Sequence, residues 1–250
     1  MSRALVMFRE ALHYRRECFC AGLQELGYQI FEQHPHHSHR FFTPAPDDVL
    51  VIWNRYGHGD TMAREFEAVG AKVIVVENGY LGKDWLGGQW YAMALNHHNG
   101  AGRTPYNGPE RWDSLGVELP AYREGGAEVV LLPQRGIGEP GVAMPGNWTE
   151  TAQELFPGAR VRKHPGKNET LDVVEDCRNA RHVVTHGSGA GIKCLAAGIR
   201  CVSTWPRWIG YEGCGLLQDT RLGMFRRLAW AQWTLDEVKN GRAFDALLKI

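Results

Sequence analysis

The stretch VVTHGSGAGIKCLAAGIRCVS, residues 183–203, decides the fold class. It opens as an apolar strand, runs through Gly187, Ser188, Gly189 and Gly191, continues as a small-residue helix and ends on a second apolar run, Cys201-Val202-Ser203. Strand, glycine turn, helix and strand make the βα unit of a parallel sheet. Such a turn aims several backbone N–H groups one way, and the helix behind it adds unpaired donors and partial positive charge. That suits a phosphate or another anion. The competing reading is that the glycines only let the helix pack closely on the sheet. Lys193 lies inside the helix, so this is no GxxxxGK[ST] loop, and it is no first-unit GxGxxG. An ATPase or an NAD enzyme is therefore poorly supported.

Further βα units flank it. In the first half, apolar strands are expected at 4–8, 28–33, 49–53 and 72–80, with helices over 14–27 and 59–70, the latter with Asp60 or Thr61 near its start. The second half repeats the pattern, with strands at 127–136, 159–166, 181–187 and 200–204 and helices between them. Residues 81–125 resist assignment beyond one short helix, and the tail from Met224 reads as helical nearly throughout. Continuous apolar strands between amphipathic helices imply parallel sheets covered on both faces. The expected domains are 1–120, 121–215 and a C-terminal helical segment, 216–250.

Two more turns of the second half should open on the same sheet edge. LLPQRG places Gln134 and Arg135 just past a strand, and RKHPGK places His164 past another, with Lys167 nearby. Arginine and lysine offset phosphate charge, histidine donates to it and backbone amides cradle it. The expected anion-binding residues are thus Gln134, Arg135, His164, Lys167, Gly187, Ser188 and Gly189. A structural role for His164 in its own loop is the alternative.

LPQRG, RKHPG, VVTHGSGAGIKCLAAG and RRLAWAQWTLDEVKNG, over roughly residues 127–242, resemble the capsular-polysaccharide glycosyltransferases and the small glycosyltransferase-like proteins of bacteriophages. The resemblance implies an α/β protein of GT-B type. Two facing Rossmann-like domains would hold a nucleotide-sugar, a UDP-sugar as first choice, mainly on the second domain, with the last helices crossing back to the first. It implies no required metal. Where that family commonly carries a glutamate in the helix after the Ser/Gly turn, this chain has Lys193, which leaves the nucleotide and its sugar contacts open.

In the first half, the ends of two buried strands carry acid–base chemistry. VLVIWNRYGHGD delivers His58 and Asp60, and VIVVENGYLGKDW delivers Glu77. A carboxylate near a buried strand end can serve as general base toward an acceptor hydroxyl. Glu77 is the first choice, then Asp60, then His58, while a turn-capping role for Glu77 competes. HPHHSH, with His34, His36, His37 and His39, matches no rigid metal-ligand spacing and reads as an acceptor-facing loop.

Lys plus Arg and Asp plus Glu both number 28, so there is no whole-protein basic field. Local arginines, Arg9, Arg15 and Arg16 and then Arg221, Arg226 and Arg227, together with the phage resemblance, favour DNA carrying a hydroxymethylated pyrimidine as acceptor. A glycan acceptor is the alternative, and a nucleotide-sugar epimerase or a non-catalytic binding module are the other classes. Six scattered cysteines without a CxxC pair, no apolar run of membrane-spanning length and a charged N-terminus unlike a signal peptide point to a cytoplasmic protein, in the host cytoplasm if viral.

Overall fold

The computed structural model describes residues 2–36, 42–98, 100–164, 171–215 and 218–250. The chain divides into two compact α/β units. The first comprises residues 1–98, 102–105 and 231–250, and the second residues 99–101 and 106–230.

The sheet of the first unit holds β1 (Arg3–Met7), β2 (Gln29–Glu32), β3 (Val49–Trp53), β4 (Lys72–Asn78), β5 (Trp90–Leu95) and β10 (Gln232–Thr234), in the order β10-β5-β4-β3-β1-β2. The four strands from β2 to β4 are parallel, whereas β5 and β10 run antiparallel to their neighbours. Helix α2 (His58–Ala68) lays Met62, Ala63 and Phe66 against Leu5, Met7, Leu50, Ile52, Val73 and Val75. That is the apolar stripe of a surface helix over alternate residues of three strands. The other face is closed by α1 (Arg16–Glu25) and α9 (Arg242–Leu248), where Phe19 packs edge-on against Phe8, Tyr91 and Phe244.

The second unit carries a four-stranded, wholly parallel sheet in the order β7-β6-β8-β9: β6 (Glu128–Leu132), β7 (Arg160–Val161), β8 (Ala180–Thr185) and β9 (Cys201–Ser203). Helix α4 (Trp148–Leu155) covers one face through Trp148 and Ala152 against Leu131 and Val184. Side-chain alternation turns Val183 and Thr185 to the opposite face, which α6 (Gly189–Ala196) covers. The two-residue strand β7 is anchored by Arg160, which bonds Glu128 at 2.9 Å and Asp176 at 3.2 Å, and by Arg162, which reaches Asp176 at 2.6 Å.

Three expectations change. First, the sheet of the first unit is mixed. The unassigned segment contains β5, WYAMAL, buried at all six positions. The tail breaks at Trp230, forms β10 and resumes only when Thr234 caps α8 (Leu235–Lys239) in a reciprocal capping box with Glu237.

Second, the units are not divided at 120 and 215. Residues 106–120 carry α3 (Glu110–Asp113), whose buried Trp112 packs at a tilt against Phe225 of α7 (Gln218–Leu228) at 4.9 Å, and both segments belong to the second unit. Only 231–250 joins the first.

Third, α2 begins at His58 behind Gly57, which makes no side-chain cap, and neither Asp60 nor Thr61 is its cap residue.

Among the described residues no helix is long and apolar enough to cross a membrane. All six cysteines are free thiols.

Candidate functional site

In an open parallel sheet, ligands collect at the carboxyl ends of strands where the strand order reverses. In the second unit the reversal lies between β6 and β8, because β7 follows β6 on one side and β8 on the other.

The chain at this point is held by short polar bonds. Thr185, fully buried at the end of β8, donates to the Leu132 carbonyl of β6 at 3.1 Å, and its hydroxyl oxygen accepts from the Ser188 N–H at 3.0 Å. Ser188 is the N-cap of α6, and its Oγ accepts from the Ala190 N–H at 3.2 Å. From just past β6, Gln134 Nε2 donates to the Gly187 carbonyl at 3.0 Å, while its own N–H lies 3.2 Å from Met144 Sδ. Capping engages the Ser188 oxygen as acceptor and leaves its hydroxyl proton free to donate. No hydrogen bond among the described residues engages the Gly189 N–H. The turn therefore offers an N–H, a hydroxyl proton and the positive end of an eight-residue helix in one place.

The glycines have a more local reason. None of Gly187, Gly189 and Gly191 has a positive φ. A Cβ on Gly187 would lie 2.9 Å from Trp205 Cε3 and 3.2 Å from Trp208 Cδ1; one on Gly191 would lie 2.9 Å from Trp208 Cη2. At these two positions glycine makes room for two tryptophans, which is the packing explanation. It says nothing for or against an anion.

Beside the turn, His186 stacks flat on Trp205 at 5.0 Å with planes 10° apart, and burial pushes its pKa down. Its Nε2, the Gln134 Oε1 and the Trp208 Nε1 are all buried without a hydrogen-bond partner among the described residues. Three unsatisfied polar atoms so close to one turn are costly unless something else bonds them. Sequence reasoning missed Trp205 and Trp208 as parts of this site; their signal is the run TWPRW that directly follows β9.

The expected anion-binding residues thus divide. Gln134 and Gly187 meet, and the bonded Gln134 nitrogen supports the turn. Arg135 and His164 are exposed at the same carboxyl edge of the sheet, after β6 and β7. Lys167 lies outside the described residues.

In the first unit, Asp60 is held by Arg55 at 2.9 Å and by Arg64 at 3.0 Å, and Arg55 also grips Glu67 at 2.6 Å. Burial works to raise the Asp60 pKa, but the two arginine hydrogen bonds outweigh it and hold the carboxyl below its ordinary value. A doubly paired carboxylate of this kind is a weak proton acceptor. Glu77 lies inside β4 rather than past its end, half-buried, on the face it shares with Val73 and Val75 and opposite Ala92. His58 is the first residue of α2, its Nε2 buried and unpartnered. His37 and His39 lie outside the described residues. Among the described residues no group of three or more His, Cys, Asp or Glu is arranged to hold a metal ion.

Five of the six arginines expected on DNA are paired or buried, and Arg9 is the exception. Arg15 pairs with Glu17, Arg16 with Glu32, Arg226 with Asp113 and Arg227 with Glu212. Arg221 is fully buried over the Tyr122 ring and donates to the carbonyls of Leu195 and Pro120.

No family model matches the chain, and no curated protein matches it. Among solved structures, the chain is similar to Thermosulfurimonas dismutans KpsC, a beta Kdo 2,4 transferase, with a TM-score of 0.53 and 16% identity, over 92% of this chain and 89% of that one. The fold is therefore like that of a glycosyltransferase. Ligand-free aspartate transcarbamoylase from Trypanosoma cruzi superposes with a TM-score of only 0.28 at 13% identity, over 92% of this chain and 82% of that one.

Proposed function

We propose that the protein is a glycosyltransferase that takes its sugar from a nucleotide-sugar, a UDP-sugar being the first candidate, and passes it to an acceptor hydroxyl. The observation that carries this reading is the turn at the β6/β8 reversal, where the Gly189 N–H and the Ser188 hydroxyl proton are left to donate at the start of α6. The α6 terminus would hold the donor phosphates, offsetting their charge as the bond from anomeric carbon to phosphate oxygen breaks. Arg135 and His164, exposed on the same edge, would add to that hold. The likeness in fold to a Kdo transferase supports the reading at the level of architecture.

The acceptor oxygen attacks the anomeric carbon and gives up its proton. In the first unit Glu77 is the proposed base, since Asp60 is doubly paired with arginine. A saccharide acceptor is favoured over hydroxymethylated DNA. Four of the arginines that DNA phosphates would need are paired with carboxylates and a fifth is buried. A paired arginine offers a DNA phosphate less net attraction than an unpaired one.

The test is incubation of the full chain with a panel of UDP-, CMP-, GDP- and TDP-sugars, alone and with oligosaccharides or hydroxymethylcytosine DNA. Nucleotide release that requires a saccharide is expected. Release with no acceptor, accompanied by an altered sugar, would mean epimerisation instead. No release and no binding with any donor would end the proposal.

A further inference from the structure

The first unit has its own strand-order reversal, between β1 and β3, and a cavity of about 110 Å³ lies there at the strands' carboxyl ends. It is smaller than the roughly 300–1,000 Å³ of the pockets that take drug-sized ligands, a size suited to a small group such as one sugar unit or its charged substituent.

Its lining is distinctive. Tyr14, Trp53 and Tyr56 supply aromatic surface, and Tyr14 packs edge-on against Trp53 at 4.7 Å. Arg9 follows β1 and is steadied by His36, whose Nε2 accepts from Arg9 Nη2 at 3.2 Å, leaving the other guanidinium donors for a ligand. Asn54, at φ 54°, turns the chain away from β3, its N–H bonded to the Val76 carbonyl at 2.9 Å. The eleven-residue helix α2 starts at the cavity, with no side-chain cap and with Gly57 and Gly59 presenting bare backbone. The unpartnered, buried Nε2 belongs to His58 on the same lining. No Asp or Glu lines the cavity among the described residues. The carboxylate in the first turn of α2, Asp60, is neutralised by Arg55 and Arg64.

We propose that this crevice, formed by Arg9, the open first turn of α2 with His58, and the rings of Tyr14, Trp53 and Tyr56, binds a saccharide unit bearing a carboxylate. The inference rests on the glycosyl-transfer reading for the choice of a sugar. The chemistry follows from the lining. A sugar's C–H face, with its slight positive charge, stacks on the negative face of an aromatic ring. One guanidinium and a helix terminus match a planar monoanion, which arginine takes through two parallel bonds. A phosphate, carrying nearly two charges, would leave about one of them unbalanced beside a single cation.

The experiment is NMR titration of the full chain, read at the Trp53 indole and His58 imidazole, with methyl glucuronide, its methyl ester, methyl glucoside and glucose 6-phosphate. The expected result is that the glucuronide shifts both signals, that the ester and glucoside bind at least tenfold more weakly, and that glucose 6-phosphate does not compete. Arg9→Ala, a change at an exposed residue, should weaken the glucuronide at least tenfold, while Leu155→Ser, at an exposed position of the second unit outside both sites, should leave it unchanged. Equal binding of acid and ester, tighter binding of glucose 6-phosphate, or indifference to Arg9→Ala would overturn the proposal. Glucuronide binding by a protein that takes no nucleotide would support this subsite while removing the transfer reading.

Discussion

Gln134 Nε2 donates to the Gly187 carbonyl at 3.0 Å, joining the loop after β6 to the turn after β8. One side chain thereby fixes the orientation of the peptide that leads into α6. Because the bond spans the strand-order reversal, it holds together the two loops between which the donor phosphates are proposed to sit.

Removing that bond should act on binding more than on folding. Gln134→Ala is expected to lower stability by about 1 kcal/mol, the usual net value of one hydrogen bond. That corresponds to roughly 2–4 °C in Tm for a chain of this size. Donor KM should rise several-fold. Thermal melts and initial rates check this, and an unchanged KM would detach Gln134 from the site.

Thr185 is a stricter case, because its hydroxyl serves both Leu132 and Ser188 from a fully buried position. Thr185→Val leaves a carbonyl and an N–H without partners and should cost about 1–3 kcal/mol. Thr185→Ser keeps the hydroxyl and should recover most of the loss in urea denaturation.

Gly191→Ala tests the packing explanation of the glycines. The new methyl would meet Trp208 Cη2 at 2.9 Å, an overpacking expected to cost about 1–3 kcal/mol. Trp208→Phe removes that atom. In the Gly191→Ala background it should therefore cost less than it does alone, giving a coupling of about 0.5–3 kcal/mol. Strict additivity would show that the glycine is needed for something other than room.

Asp60 and Glu77 separate by pH and by turnover. The folded Asp60 carboxyl lies below its unfolded value of about 3.9, so its pairing stabilises the fold above that pH and the contribution is lost as pH falls through the folded value. Asp60→Asn should flatten the loss of stability below about pH 4 and cost about 1.5–3 kcal/mol at neutral pH. Its effect on kcat should be modest. Glu77→Gln should lower kcat by roughly 10²–10⁴ with little change in donor binding. The reverse pattern would move the base to Asp60.

Much of the architecture is legible in the chain. VLVIW reads as a buried strand because Val, Leu and Ile form an unbroken apolar run, and β3 spans those five residues. WYAMAL, with only alanine, methionine and leucine after its aromatics, lacks the β-branched signal, and its place in the sheet is set by pairing with β4 and β10. QWT becomes a strand for the same tertiary reason, inside a tail whose local pattern is helical. At the site, the βα turn at 187–189 is readable from spacing. The need for Gly187 and Gly191 is not, because it depends on Trp205 and Trp208, which lie well beyond the turn in the chain. Arg9 reads as one of a row of surface cations, and only the β1/β3 reversal puts it beside Trp53 and His58.

The central claim is that the start of α6 holds the phosphates of a sugar nucleotide, and calorimetric titration of nucleotide-sugars into wild type and Gly189→Asp tests it most directly. Aspartate is favoured in the first turn of a helix, so the variant should stay folded by circular dichroism while setting a negative charge where the phosphates would lie. The account predicts saturable binding of at least one nucleotide-sugar to wild type and its loss, by tenfold or more, in the variant. No binding to wild type, or equal binding to both proteins, would contradict it.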